Sequence, residues 1–334
     1  MKRLIFPFAL VVLWSCGGAD REACVFVPDV SPEAIDLTFE SLEDTIASLE
    51  SKDEMVAFLT REPVIRDVML RRQAYPDDSV YINEMFRRFN HPGIDTLLQE
   101  TRAVFGDGSA LKDEFRRAFA NIKYYYPDFQ PPKVKTLITG LDTDMFVSDT
   151  LVLISLDFFL GPGAKYRPQT YEYLMRRYDP HDIVPSVMLI FGIDNRFNRT
   201  NANDKTVLAD MVAYGKSFYF AKHMMPCTPD SVLIWYTSEE IDGAHKNQDL
   251  IWARFIEDQV LYSTSNMTKR AYLGDRPKTL EVGEKCPGRI GQWVGWQIVK
   301  SYMSRNPDVT LVDLMQMADA QEIFKKSNYK PHLR

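Results

Sequence analysis

The chain has 334 residues, of which 45% are hydrophobic, and its formal net charge is −6. It contains no run of basic residues that could neutralise a series of phosphates, so nucleic acid is not an expected partner. No repeat and no Gly/Ser-rich linker divides the chain. We therefore expect residues 33–334 to form one globular domain, with a helical part at 33–126 and a sheet-plus-helix part at 127–334.

The N-terminus has the pattern of a bacterial export signal. Two basic residues precede the apolar run 4–13, which is too short to cross a bilayer as a helix of about 20 residues. The run ends in Leu13-Trp14-Ser15-Cys16, the pattern of a lipobox. We predict that residues 1–15 are removed, that Cys16 carries acyl chains including palmitate, and that 16–32 form a tether. An ordinary secretory signal, cut at a nearby small residue, is the alternative.

A lipid on Cys16 would anchor the protein to a membrane of the cell envelope, facing the periplasm, with inner and outer membrane both open. Three cysteines then remain, Cys24, Cys227 and Cys286, so at most one disulfide can form within the chain. Because Cys24 lies in the predicted tether, Cys227 and Cys286 are the expected pair.

Helical patterns dominate the first part of the domain. Apolar residues recur at helical spacing from Ile35 to Leu49, which predicts one amphipathic helix. Shorter helical patterns follow at 53–60, 63–73, 79–89 and 93–105. The clearest helix runs from Ser109, a predicted N-cap, to a stop at Pro127.

The pattern then changes to strands and back to helices. Residues 134–140 and 150–156 are short, β-branched and bounded by turn formers, which predicts two strands, with a hairpin or a third short strand between them. Helical patterns return at 170–178, 183–191, 205–224, 238–262 with a break near Gly243, 290–304, 311–317 and 320–324. The predicted fold class is α+β, predominantly helical with one small central sheet.

No motif of a known catalytic or cofactor site is present. The five histidines are too far apart in sequence for His-Glu-x-x-His, in which two histidines share one helix face around zinc. CxxC, GxSxG, GxGxxG and P-loop patterns are also missing. The aspartates at positions 142, 144, 149 and 157 fit turn and capping positions better than a calcium loop. We therefore predict no catalytic residues, no metal and no cofactor.

Residues 287–299 have the most unusual composition, with two tryptophans and two glycines inside a helical pattern. Gly291 and Gly295 lie on one face, where another backbone could approach closely. Apolar residues surround this helix, so we predict that it is buried with a tight crossing. The alternative is a cleft lined by Arg289, Trp293 and Trp296, in which Arg289 pairs with a carboxylate such as that of Asp157 or with an external partner.

The chain resembles the GldB family of gliding-motility lipoproteins. The resemblance rests on blocks that occur in the same order: YYYPDFQPPKVKTLITGLD (124–142), LISLDFFLG (153–161), ADMVAYGKSFYF (209–220), PCTPDSVLIWYT (226–237), 251–255 with 261–264, PGRIGQWVGWQIVKSYM (287–303) and AQEIFKKSNYKP (320–331). It implies a membrane-anchored envelope component that works with motility or envelope proteins.

The family is also distantly similar to zinc proteases whose catalytic helix follows a small sheet, which implies a zincin-like, degenerate peptidase architecture. The overlay places Met211, Val212 and Gly215 where ligand, base and ligand would stand, and these residues offer neither a good ligand nor a base. The resemblance thus implies a pseudoenzyme that kept a cleft for interaction, with these candidate residues: Asp157, Tyr214, Arg289, Trp293 and Trp296.

Two alternative functions remain at this point. The first is an unconventional periplasmic hydrolase that uses either Asp157 or the pair Glu239 and Glu240, with His181 or His223. The second is a lipoprotein that binds peptide or glycan through Trp293 and Trp296. The missing His-Glu-x-x-His motif favours the non-enzymatic interpretation over the hydrolase.

Overall fold

The computed structural model describes residues 24–331. The predicted signal peptide 1–15 and the predicted lipid site Cys16 lie outside the described residues. The first part of the domain contains five helices: α1 Glu43–Ala47, α2 Lys52–Arg61, α3 Asp78–Phe89, α4 Pro92–Phe105 and α5 Ser109–Tyr125. A short π-helical segment, Ile65–Met69, lies between α2 and α3. Ser109 is the first residue of α5, and its N-cap is Gly108 in the left-handed conformation.

One small sheet crosses the middle of the domain. It consists of β1 Phe39–Ser41, β2 Lys133–Leu137, β3 Met145–Val147 and β4 Leu151–Ser155, in the spatial order β1-β2-β4-β3. β1, β2 and β4 run parallel, and β3 is an antiparallel outer strand. The prediction of a single helix over residues 35–49 was wrong, because β1 lies within this range. Its backbone pairs with Val134–Thr136 of β2, a distant partner that the local helical spacing does not reveal.

The remaining helices confirm the α+β class. They are α6 Glu172–Met175, α7 Ile183–Ile193, α8 Val207–Met224, α9 Asp230–Ile234, α10 Ser238–Lys246, α11 Gln248–Glu257, α12 Asn266–Leu273, α13 Ile290–Arg305, α14 Leu311–Gln316 and α15 Ala320–Ser327. The break predicted near Gly243 falls at Asn247, between α10 and α11. Among the described helices, none combines the length and the apolarity that a membrane crossing needs.

The sheet separates two hydrophobic cores. Side chains alternate along a strand, so Leu137 and Leu153 face a smaller core built with α1–α4. Val134 and Val152 face the opposite way, into the larger core that contains α5, α7, α8 and α13. Both faces of the two central strands are therefore covered by helices, as parallel pairing usually requires.

The larger core is organised by the crossing of α8 and α13, the most extensive helix pair in the molecule. Two glycines meet at the crossing, as predicted for Gly295. A Cβ added to Gly295 would lie closer than 3.0 Å to the backbone of Met211, and one added to Gly215 would clash with the backbone of Gly295. Hydrogen in place of a side chain thus lets the two backbones touch.

The disulfide differs from the predicted pair. Cys227 is bonded to Cys24, with a Cα–Cα distance of 4.2 Å, and Cys286 is a free thiol. The predicted disulfide between Cys227 and Cys286 was wrong, because the prediction treated Cys24 as part of a loose tether. The backbone N–H of Val25 donates to the carbonyl of Pro226 at 3.1 Å, which fixes this segment against the loop that follows α8.

Candidate functional site

A cleft runs beside α8 and consists of two cavities that share Ile193 and Tyr214 as lining residues. We call it the α8 cleft. The first cavity, of about 550 Å³, is bordered by the loop 199–205, by α12 and by the segment before α15. Charged, polar and apolar side chains all line it, and we call it the polar cavity to distinguish it from the second. The second, of about 400 Å³, is lined mainly by apolar side chains. Cavities of this size accommodate a few amino-acid side chains or a small organic group.

The apolar cavity lies between the outer strand of the sheet and helices α7 and α8. Its lining residues include Met145, Phe159, Ile190, Phe218 and Trp235. Tyr214, Ile190 and Ile193 are each more than a third exposed although they are large and apolar. The cleft thus presents an apolar surface to solvent, which is typical of a binding site.

Strand β3 has one free side next to this cavity. Ser155 N donates to Asp144 O at 2.8 Å, and Ser148 N donates to Leu151 O at 2.9 Å. In an antiparallel pair these bonds alternate along the strand, so the backbone groups of Met145 and Val147 point away from β4. The Met145 N–H donates to Asp144 Oδ1 at 2.8 Å, so pairing with a further chain would use the Met145 carbonyl and both backbone groups of Val147. The structure leaves β3 as an outer strand within residues 24–331. Such an edge can pair with a further extended chain.

A cluster of arginines closes one end of the apolar cavity. The guanidinium groups of Arg177 and Arg289 lie 4.5 and 4.9 Å from the centre of the Trp235 ring, within cation–π distance. Asp275 forms ion pairs with both arginines. Trp235 and Arg289 also have positive φ angles, +54° and +60°, which cost roughly 1–3 kcal/mol each for residues other than glycine.

Arg289 is held inside this cluster and not at the cleft surface. Its Nη2 donates to the carbonyl of Ile234 at 2.5 Å, and only 7% of the residue is exposed. Burial, together with the neighbouring Arg177, lowers its pKa to about 10. The predicted contact with Asp157 is not formed, because the carboxylate beside Arg289 belongs to Asp275.

Asp157 is not a cleft residue either. It is fully buried at the end of β4, where its carboxylate accepts hydrogen bonds from Ser155 Oγ at 2.7 Å and from Leu141 N at 2.8 Å. Thr139 N donates to it as well. Burial raises the pKa of this carboxyl group above its ordinary value. Asp157 holds the loop after β2, in which Leu141 has a φ of +63°.

Substitution of Asp157 tests whether its role is structural. Asp157→Ala should lower the free energy of unfolding by about 2–4 kcal/mol, because buried N–H groups lose their acceptor. Asp157→Asn keeps one acceptor oxygen and should lose less. Urea unfolding of both variants measures the difference, and equal stability of Asp157→Ala and wild type would contradict the assignment.

Trp293 and Trp296 do not line the cleft. Both are completely buried in the larger core, and the Trp296 ring stacks on Phe218 with a centroid distance of 5.0 Å. Their burial argues against a glycan- or peptide-binding role based on these rings. The prediction of a buried α13 is confirmed. Of the five candidate residues, Tyr214 alone lines both cavities of the cleft.

The residues of the hydrolase alternative are engaged locally. His181 pairs with Asp179 at 2.5 Å, and Nδ1 of His223 bonds to the carbonyl of Tyr219 at 2.8 Å. Glu240 caps the start of α10 and forms ion pairs with Arg176 and Lys278, while Glu239 is exposed. Neither histidine lines either cavity of the α8 cleft.

The α8 positions to which the protease resemblance would assign a zinc site are used for packing. Met211 and Val212 are buried, and Gly215 faces α13. Within the part of the chain that the structure describes, no three His, Cys, Asp or Glu residues are grouped to hold a metal ion.

Sequence reasoning missed Lys216, which also lines the polar cavity. Its Nζ donates to the carbonyls of Arg199 and Met317, at 2.9 and 2.8 Å, and thereby ties α8 to two neighbouring loops. Burial lowers its pKa to about 7. A lysine between Gly215 and Phe218 of an apolar helix was the available signal. Trp235 and Arg177 were missed as well, and no local pattern marks them.

A family model described as gliding motility protein GldB matches residues 23–331, nearly the whole chain. The protein belongs to the GldB family. The family assignment made from the sequence blocks is thereby confirmed, and it places the protein among gliding-motility lipoproteins of the cell envelope. Searches of the curated proteins and of the solved structures gave no match.

Proposed function

We propose that this GldB-family protein is a lipid-anchored, periplasm-facing envelope lipoprotein that binds an extended segment of a partner protein in the α8 cleft and does not cleave it. The observation that carries the proposal is the free side of β3 directly beside an apolar cavity. An extended chain can pair with the N–H and carbonyl of Val147 and with the carbonyl of Met145, and place an apolar side chain in the cavity. The lipobox at Cys16 supports the anchor.

The composition of α8 supports the absence of catalysis. Met, Val and Gly occupy the positions where the protease resemblance places ligands and base, and all three pack in the core. A mixed sheet with an antiparallel outer strand beside a long helix is consistent with a degenerate protease-like architecture. We infer a pseudoenzyme in which the cleft binds and does not react.

The cleft is tested by photo-crosslinking in the cells that make the protein. A benzophenone amino acid replaces Tyr214 in the full chain, and a second version carries it at Tyr262, which is exposed and lies outside both cavities. We expect a specific crosslinked protein from position 214 and none of the same identity from position 262. Mass spectrometry of the adduct should map the contact to an uncut, extended segment.

Two cleft variants, Ile190→Arg and Val147→Pro, and one control, Ile256→Arg, decide whether the cavity and the edge carry the binding. Ile190→Arg places a positively charged side chain in the lining of the apolar cavity. Ile256→Arg places the same charge at an exposed position of α11. Val147→Pro removes an outward N–H, and proline is tolerated on an outer strand. We expect Ile190→Arg and Val147→Pro to reduce the crosslink at least tenfold, and Ile256→Arg to leave it unchanged.

Other outcomes would overturn the proposal. Crosslinks that survive both cleft variants would show that the partner binds elsewhere. Stoichiometric zinc in the purified protein, or cleavage of the crosslinked segment, would revive the hydrolase alternative.

A further inference from the structure

The start of the described chain is fixed to one end of helix α8. Cys24 is bonded to Cys227, three residues after the last residue of α8, and Val25 N donates to Pro226 O at 3.1 Å. Asn121 of α5 donates to the carbonyl of Met224, which joins the end of α5 to the same place. The chain thus enters the domain where the C-terminal ends of α5 and α8 meet.

Apolar side chains are exposed at this entry point. Phe26 is 60% exposed, Val27 53% and Tyr124, in the last turn of α5, 48%. The rings of Phe26 and Tyr124 lie 6.1 Å apart, so these residues form one surface, which we call the entry patch. Aromatic rings at a surface of this kind are typical of the interface between membrane and water.

The disulfide limits how far the entry patch can be from a lipid on Cys16. Eight Cα–Cα steps separate Cys16 from Cys24, and a fully extended chain covers at most about 29 Å over that number of residues. Without the disulfide, the first regular element packed on the domain would be the 3₁₀ turn Pro32–Ala34, which contacts α5, and the limit would be roughly 58 Å. A domain of this length has a diameter of about 50 Å. The short connection therefore keeps the patch side of the domain toward the anchor.

We propose that the entry patch, consisting of Phe26, Val27 and Tyr124, rests in the interfacial layer of the membrane that holds the lipid anchor. The occupant of the patch is thus a lipid surface. This inference rests on the lipid anchor of the proposed function. Apolar burial drives the contact, because the chain carries a net charge of −6 and gains nothing from anionic lipid.

The orientation has a consequence for the α8 cleft. The patch lies at the C-terminal end of α8, and Tyr214 precedes Met224 by ten residues, or about 15 Å along the helix axis. The polar cavity, which Ala209 and Asp210 line, is about one turn farther from that end. The membrane contact would leave both cavities open to a partner in the periplasm.

Quenching by brominated lipid tests the contact. The full lipidated protein is reconstituted in phosphatidylcholine vesicles with and without bromine on the acyl chains. Phe26→Trp and Tyr124→Trp report on the patch, and Tyr262→Trp, at a residue that is also 60% exposed, is the matched control. After subtraction of the native tryptophan signal, we expect bromine to quench the patch tryptophans at least twofold more than the control.

The failures of the anchor and of the contact are distinguishable. Vesicle flotation and the mass of the mature N-terminus report the lipid on Cys16, and a protein that does not float contradicts the anchor. A protein that floats but shows equal quenching at all three positions overturns the patch contact, as does quenching that requires anionic lipid. With Cys24→Ser and Cys227→Ser combined, we expect quenching at position 124 to fall. Unchanged quenching there would overturn the role of the disulfide.

Discussion

Gly295→Leu should unfold a large fraction of the protein at 37 °C, because the site has no room for any side chain. A Cβ at this position already overlaps the backbone carbonyl of Met211 on α8. The clash is with backbone atoms, which cannot change rotamer as a flexible side chain can. It is therefore relieved only if α8 and α13 move apart. Overpacking usually costs about 1–3 kcal/mol, and contact with a backbone places this variant at the upper end or beyond. Thermal melting and the cellular level of the protein should fall together.

A second helical glycine provides the control for Gly295. Gly243 lies in α10, and no atom lies within 4 Å of a Cβ added there. Gly243→Ala should stabilise the protein by about 0.4–1 kcal/mol, since alanine restricts the unfolded chain and favours helix. Gly295→Ala should already be destabilising. Similar melting temperatures for the two alanine variants would contradict the close helix crossing.

Removal of the Cys24–Cys227 disulfide is the second change with a large expected effect. The bond closes a loop across a sequence separation of 203 residues. Loop entropy assigns such a bond about 5 kcal/mol, and measured losses for native disulfides are typically about 2–5 kcal/mol. We expect the variant with both cysteines replaced by serine to lose an amount in that range in guanidinium unfolding. Reduction by dithiothreitol should lower the free energy of unfolding of the wild type by a similar amount and leave that of the variant unchanged.

Cys286 supplies the matched comparison. It is a free, partly buried thiol, and burial raises its pKa to about 12, so it is a poor nucleophile at neutral pH. Cys286→Ser should therefore change stability by much less than loss of the disulfide. Peptide mapping without reduction should recover Cys24 joined to Cys227. Recovery of Cys227 joined to Cys286 would restore the pairing expected from the sequence.

The sequence by itself determined the features that depend on neighbouring residues. The short β-branched segments around Val134 and Val152 became the central strands β2 and β4, and the all-round apolar pattern of 290–304 became the buried helix α13. Local spacing decides such elements, since each periodic pattern has one low-energy way to bury its apolar side. The order of the sequence blocks also identified the GldB family, which the family model confirmed.

Only the tertiary structure decided the features that join distant parts of the chain. Phe39–Ser41 has a helical pattern, yet pairing with β2 makes it a strand. Cys24 joins Cys227 because the N-terminal segment folds back on the end of α8. Arg289 meets Asp275 and Trp235, and Asp157 meets the loop after β2, because side-chain partners are set by three-dimensional packing. Residue type shows which groups need partners when buried, whereas packing alone selects which partners they receive.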